Sequence, residues 1–217
     1  AFSREFDAGK KYMVMAAGSL GSSMQLTVAD PSGEEVATQS GAKPSVVFMP
    51  TDAGQFRISL SMVDDDDEFG AIVIMEQGGG VSVDSEVLQG TFQRLLDAGV
   101  RAHKKVREGG GTALVFHEGD WAIQGTVLYP NEAIRQRGIK LSGKTAFALA
   151  VSDRDSGNID LEVIDANTEE TWADHEPDSY PVVILESPNP ETEYHMRTIY
   201  AVGDAPVLAV SILLAME

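Results

Sequence analysis

The stretch Gly9-Lys10-Lys11-Tyr12-Met13-Val14-Met15-Ala16-Ala17 returns later in the chain as Gly143-Lys144-Thr145-Ala146-Phe147-Ala148-Leu149-Ala150-Val151. Both copies open on Gly-Lys and continue as a strand. Met13, Met15 and Ala17 correspond to Phe147, Leu149 and Val151, and side-chain alternation with period two puts each set on one face. Further matches follow in the same order. Met24-Gln25-Leu26-Thr27-Val28-Ala29-Asp30 parallels Ile159-Asp160-Leu161-Glu162-Val163-Ile164-Asp165, each with alternate apolar positions and then an aspartate. Pro31-Ser32-Gly33 follows the first and Ala166-Asn167-Thr168 the second, both turn chemistry. Val46-Val47-Phe48 matches Val182-Val183-Ile184, and Gly54-Gln55-Phe56-Arg57-Ile58 matches Thr192-Glu193-Tyr194-His195-Met196. The last match sets Phe69 to Glu76 against Val210 to Glu217.

Five matches in one order predict two homologous units, 1–77 and 111–217. Short strands separated by Gly, Pro, Asn and Asp clusters point to antiparallel sandwiches or jelly rolls. A parallel βαβ fold needs helices between strands, and neither unit offers one. Between the units, 78–110 reads as a helical linker. Leu88, Phe92, Leu95, Leu96 and Val106 recur at three- and four-residue spacing from Asp84 to about Arg107. Asp84 or Ser85 caps the start, Arg101, Lys104, Lys105 and Arg107 suit the dipole at the end, and Gly109-Gly110-Gly111 stops it. Gly90 and Gly99 inside the pattern count against it. The expected fold is therefore mainly β: two tandem jelly-roll or β-sandwich domains joined by one amphipathic helix. The second unit carries extra strand material at 113–116 and 121–129. Either the first unit has one strand fewer, or residues 112–128 complete it.

Composition limits the chemistry. The 217 residues hold 16 lysines and arginines against 34 aspartates and glutamates, a formal charge of −18. That balance argues against a nucleic-acid partner, because phosphate binding needs clustered cations. With no cysteine, thiol nucleophiles, zinc thiolates and iron–sulfur clusters are excluded. Ala205 to Met216 is the longest apolar run and is too short for a bilayer-spanning helix of ~20 residues, so no membrane span is expected. It reads instead as a strand buried on both faces. The first residue, Ala1, is the expectation of a removed leader or a trimmed chain.

The order of motifs resembles the bacterial pre-peptidase C-terminal domain, a jelly-roll β-sandwich of secreted proteins. Its leucine-rich strand ending in Asp-Pro-x-Gly, followed by a Gly-x-Tyr strand, is matched by Leu26, Asp30, Pro31, Gly33, Gly54 and Phe56, with phenylalanine in the tyrosine's place. In the second unit Leu161, Asp165 and Tyr194 take those places, with Ala166 and Thr168 replacing proline and glycine, and Thr192-Glu193 standing where the glycine before the aromatic residue is expected. Gly125-Thr126-Val127 is similar to the strand that opens many such domains. The resemblance implies a periplasmic or extracellular location and a binding or secretion-associated role. Related sandwiches bind collagen or calcium. The matching motifs are structural and carry no catalytic residues.

A search for chemistry returns few constellations. His103, His117, His175 and His195 lack a nucleophile-base-orienter pattern, and no Gly-x-Ser-x-Gly elbow occurs. His103, among helical cations, reads as solvated. No catalytic residue is assigned. Asp153, Asp155, Asn158 and Asp160 put three carboxylates and an amide in one loop, a candidate calcium site; the competing reading is a polar hairpin turn. Asp64 to Glu68, five consecutive acids, reads as solvated or a weak calcium binder, and Asp174 to Asp178 offers mixed metal ligands. Trp121, Tyr129, Trp172 and Tyr180 are candidates for a sugar platform, with core burial as the competing explanation. No cofactor is expected beyond that calcium candidate, and the partner expected is a protein or a carbohydrate.

The leading expectation is a non-catalytic, exported module that binds a protein or glycan or builds an envelope assembly. The alternative is a calcium-dependent adhesive or stability module. A third reading, a hydrolase, would need a cleft gathering His117 or His195 with carboxylates.

Overall fold

In a computed structural model of the chain, the described residues are 1–18, 23–62, 70–76, 83–111, 114–116, 123–141, 145–154 and 157–216. They fall into two units, Ala1–Ser82 and Val83–Glu217.

The first unit contains β1 (Phe2–Phe6), β2 (Tyr12–Gly18), β3 (Met24–Ala29), β4 (Glu35–Gly41), β5 (Ser45–Phe48), β6 (Gly54–Met62) and β7 (Gly70–Glu76). They form two antiparallel sheets in the orders β1-β6-β3-β4 and β5-β2-β7. Alternation supplies the core: Tyr12, Val14 and Ala16 of β2 face Leu26 and Val28 of β3 and Phe56 and Ile58 of β6. Phe6 anchors one end of that core. Its ring lies 4.6 Å from Tyr12, 5.1 Å from Phe48 and 5.6 Å from Phe56, in tilted and edge-on arrangements suited to aromatic quadrupoles.

The second unit contains α1 (Ser85–Glu108), β8 (Leu114–Phe116), β9 (Ile123–Leu128), β10 (Ala133–Ile139), β11 (Thr145–Ser152), β12 (Asn158–Asp165), β13 (Thr171–Asp174), β14 (Val182–Glu186), β15 (Tyr194–Val202) and β16 (Val207–Met216). One sheet has the order β10-β15-β12-β13 and the other β14-β11-β16, with β9 and then β8 pairing along β16. The orders β9-β16-β11-β14 and β10-β15-β12-β13 are those of an eight-stranded jelly roll with two Greek keys. The first unit has the same order without a described counterpart of β9. The chain is therefore mainly β, with two tandem sandwiches and a single described helix. Residues 114–116 and 123–128 extend β16 of the second unit, which resolves where that extra strand material goes.

The ladders correct two of the sequence matches. Tyr12 of β2 pairs with Phe48, and its counterpart Ala146 of β11 pairs with Leu185. Phe48 thus corresponds to Leu185, one residue beyond the sequence match to Ile184. Met13 pairs with Met75 and Phe147 with Leu214, so the β7–β16 match also slips, by two positions. Both segments are apolar on both faces, and alternation cannot set register in such strands. The core-facing residues of the central strands are Tyr12, Val14 and Ala16, and Ala146, Ala148 and Ala150. The large side chains Phe147 and Leu149 occupy the opposite face, the one that α1 covers.

The turns after β3 and β12 share a mechanism. Asp30 Oδ1 accepts from the amides of Ser32 and Glu34, and Asp165 Oδ1 from those of Asn167 and Thr168. The left-handed position of the first turn is Gly33, at φ 88°. The second turn is one residue longer and gives that position to Glu169, at φ 61°, where a side chain is strained.

Candidate functional site

α1 begins at Asp84, whose Oδ1 accepts from the Glu86 amide at 2.8 Å. It ends in a Schellman motif. Gly110, at φ 82°, donates to the Arg107 carbonyl, and Gly111 donates to the Val106 carbonyl. Leu95, Leu96, Ala98 and Gly99 are buried. α1 lies on β11 and β16, and Gly99 is where it comes close to Leu214 of β16; a Cβ at Gly99 would lie 3.9 Å from Leu214 Cδ1.

The C-terminal half of α1 and the sheet line a groove of about 560 Å³. Ala98, Ala102 and Val106 form the helix wall, and Phe147, Val182 and Ile184 the sheet wall. The alanines keep the helix wall thin, which leaves the space open. Arg101 and Lys105, one turn apart, stand at the same wall. Both are exposed, and neither has an ion pair among the described residues. Tyr180 closes one side. Arg94 Nη2 donates to its hydroxyl at 2.8 Å, and the guanidinium groups of Arg94 and Arg101 lie 5.2 and 5.3 Å from its ring centroid, within cation–π range.

The groove runs along β14, which among the described residues pairs with β11 alone. The Ala150 amide donates to the Pro181 carbonyl at 3.1 Å. Bonded pairs alternate in an antiparallel ladder, so Val183 and Leu185 point their backbone groups at β11. Val182, Ile184 and Glu186 point theirs away. The Val182 amide is taken by Asp174 Oδ2 at 2.9 Å. β5 uses the same device in the first unit: the Ala16 amide donates to the Pro44 carbonyl, and the Ser45 amide to Gln39 Oε1.

Of the calcium candidates, Asp153, Asn158 and Asp160 are described. Asp153 Oδ1 accepts from the Leu208 amide at 3.0 Å and thereby fastens the end of β11 to β16. Asn158 and Asp160 are together, the amide nitrogen donating to Asp160 Oδ1 at 3.2 Å. Asp155 lies outside the described residues, as do His117, Trp121 and Asp64 to Glu68. Burial pushes the Asp160 carboxyl above the ordinary aspartate range, against the pull of His175 and Asn158. Asn158 Oδ1 is buried with no hydrogen-bond partner among the described residues. No group of three or more His, Cys, Asp or Glu side chains is gathered for a metal among the described residues.

The other candidates have structural occupations. His103 is half-buried, and its Nδ1 accepts from the Leu114 amide at 3.2 Å. The solvated position expected for it is corrected: β8 begins beside α1 and its first amide needs an acceptor. Asp174 and Asp178 accept from the amides of Glu176 and Tyr180 and so shape their own turns. On the outer face of the β12 sheet, Glu162 accepts from Arg197 at 3.1 Å and stands 3.1 Å from His175 Nε2. His195 lies on that face, with Nδ1 buried and unpartnered among the described residues. Trp172 packs on the sandwich core 6.3 Å from Tyr194, while Tyr129 is exposed.

No family model matches the chain, and no curated protein matches it. Among solved structures, an oxalate decarboxylase aligns at 11% identity and a TM-score of 0.28, over 97% of this chain and 67% of that one. An insecticidal delta-endotoxin from Bacillus thuringiensis aligns at 9% and 0.28, over 93% and 43%. The 11S globulin from Wrightia tinctoria aligns at 10% and 0.25, over 99% and 74%. Likeness at these TM-scores carries no argument about this chain's activity.

Proposed function

We propose that the chain is a non-catalytic β-sandwich module, periplasmic or extracellular, that holds a protein partner in the groove between α1 and β14. The groove is the observation that carries this reading: apolar walls, two cations at the helix wall, and a strand edge with backbone groups to offer. A protein fits it better than a glycan. A sugar platform needs a bare aromatic face, and the Tyr180 ring has Arg94 and Arg101 against it. The resemblance to pre-peptidase C-terminal domains supports an exported setting and a binding role. The test is hydrogen exchange across a panel of extended peptides of varied charge. Protection at 98–106 and 182–186 is expected from some members. A panel that protects neither segment overturns the reading, as does peptide, ester or glycoside turnover abolished by Glu162→Gln.

One observation favours a second reading, calcium-dependent stabilisation. Asn158 Oδ1 is a buried oxygen in want of a partner, beside the Asp160 carboxylate, and a hard cation takes such oxygens. Binding to the native state alone raises the melting midpoint. A midpoint indifferent to millimolar calcium and to chelator removes this reading.

A further inference from the structure

We infer that the groove takes an extended peptide of alternating acidic and apolar residues, which adds as a further strand to the edge of β14 that no described strand pairs. This rests on the reading of the chain as a protein-binding module, and it specifies the partner's chemistry and backbone geometry.

Three observations converge on one place. The first is the edge. The Val182 carbonyl and the amide and carbonyl of Ile184 and Glu186 point away from β11, by the alternation set at Pro181. A row of unpaired strand groups is a template for another strand. The ends are limited, since Asp174 occupies the Val182 amide and prolines stand at 181 and 188. That length suits a short peptide rather than an open-ended sheet.

The second is the apolar wall. Ile184 is 50% exposed although it sits between buried Val183 and Leu185, and its side chain lines the groove with Val182 and Phe147. An added strand would present alternate side chains to this wall and to the alanines of α1. Strand addition of this kind draws affinity from main-chain bonds and selectivity from the pockets for alternate side chains.

The third is charge. Arg101 and Lys105 stand at the groove in a chain of net charge −18. These two cations favour acidic side chains placed beside them, a local attraction that acts against the repulsion of the chain's net charge. A second copy of this chain would bring its own Arg101 and Lys105 against the first, so the charge favours a different partner.

The test uses the full chain and three synthetic octapeptides with valine at alternate positions, the others being glutamate, glutamine or lysine. Binding is read by fluorescence anisotropy, and the site by hydrogen exchange at Ile184 and Glu186. The glutamate peptide is expected to bind at least tenfold more tightly than the lysine peptide, with affinity falling as salt rises. Arg101→Glu with Lys105→Glu should remove that preference. N-methylation of alternate peptide amides should abolish binding without any change to the protein. On the protein side, Ile184→Pro removes an edge amide but no β11 bond. It should weaken binding well beyond Ile184→Ala, which keeps the amide; melting curves check that both variants are folded.

Groove protection by the glutamine or lysine peptide, with none by the glutamate peptide, overturns the acidic assignment and leaves the binding module standing. Binding indifferent to N-methylation overturns strand addition. Concentration-dependent dimerisation that Ile184→Pro abolishes overturns the peptide in favour of a second copy. Failure of all three peptides to protect the groove overturns both this inference and the reading beneath it.

Discussion

Gly99 inside α1 and Gly110 just past its end should respond to the same substitution with opposite sign. Gly99 is helical and buried, and an alanine Cβ there would lie 3.9 Å from Leu214 Cδ1, an ordinary van der Waals contact. Alanine is favoured over glycine in a helix interior by about 0.8–1.0 kcal/mol. The methyl also enters a partly filled space, so Gly99→Ala should stabilise the second unit by about 1 kcal/mol. Gly110 occupies the left-handed position of the Schellman motif at φ 82°. Gly110→Ala adds no clash, since nothing stands within 4 Å of its Cβ position, yet it forces a side chain into a conformation disfavoured by roughly 1–2 kcal/mol. The assay is denaturant unfolding followed by tryptophan fluorescence. Both tryptophans, Trp121 and Trp172, belong to the second unit, so the signal reports that unit alone. The midpoint should rise for Gly99→Ala and fall for Gly110→Ala at constant slope. A fall at Gly99→Ala would mean that α1 lies closer to β16 than described. An unchanged midpoint at Gly110→Ala would refute the left-handed cap.

Three further outcomes are expected. Glu169→Gly relieves the left-handed strain after β12 and should stabilise the second unit by about 0.5–1 kcal/mol in the same fluorescence assay; a loss would show that the Glu169 side chain makes a contact of value. Hydrogen bonds hold the Asp30 and Asp165 carboxyls below the ordinary range, from the Ser32 side chain first at Asp30 and from the Thr168 amide first at Asp165. Their contribution is complete above the unfolded pKa of about 3.9 and lost as pH falls through the lowered folded values, so Asp30→Asn with Asp165→Asn should flatten the acid limb of stability against pH. Asp160 is the reverse case, since burial raises its pKa. The native state holds that proton more tightly, so stability declines as pH rises through the window above about 3.9, and Asp160→Asn should stabilise at neutral pH and give no gain at pH 3. Equal gain at both pH values would show that the effect is not ionisation.

What the chain makes legible by itself is what local chemistry determines. Alternation in Met24 to Val28 and in Ile159 to Val163 marks half-buried strands, and both prove to have those residues inside. Asp30 and Asp165 announce turns because each carboxylate can serve amides two to four residues on. Asp84 and the Gly109–Gly111 run bound a helix for reasons contained in a few residues. Register is another matter. Val46 to Phe48 and Val182 to Leu185 are apolar without interruption, so a slip of one residue leaves no mark in the sequence, and the ladder with β2 or β11 decides it. The groove was hidden for the same reason. Arg101 and Lys105 explain themselves as dipole partners at a helix end, Tyr180 as a core aromatic, and Ile184 as one more apolar strand residue. They become a site through the packing of α1 on β11 and β16 beside β14, which among the described residues pairs with β11 alone. An edge is a property of which strands are absent beside it, and that depends on partners far away in the chain. Tertiary structure alone decides it, because the free energy that pairs strands comes from those distant partners rather than from the strand itself.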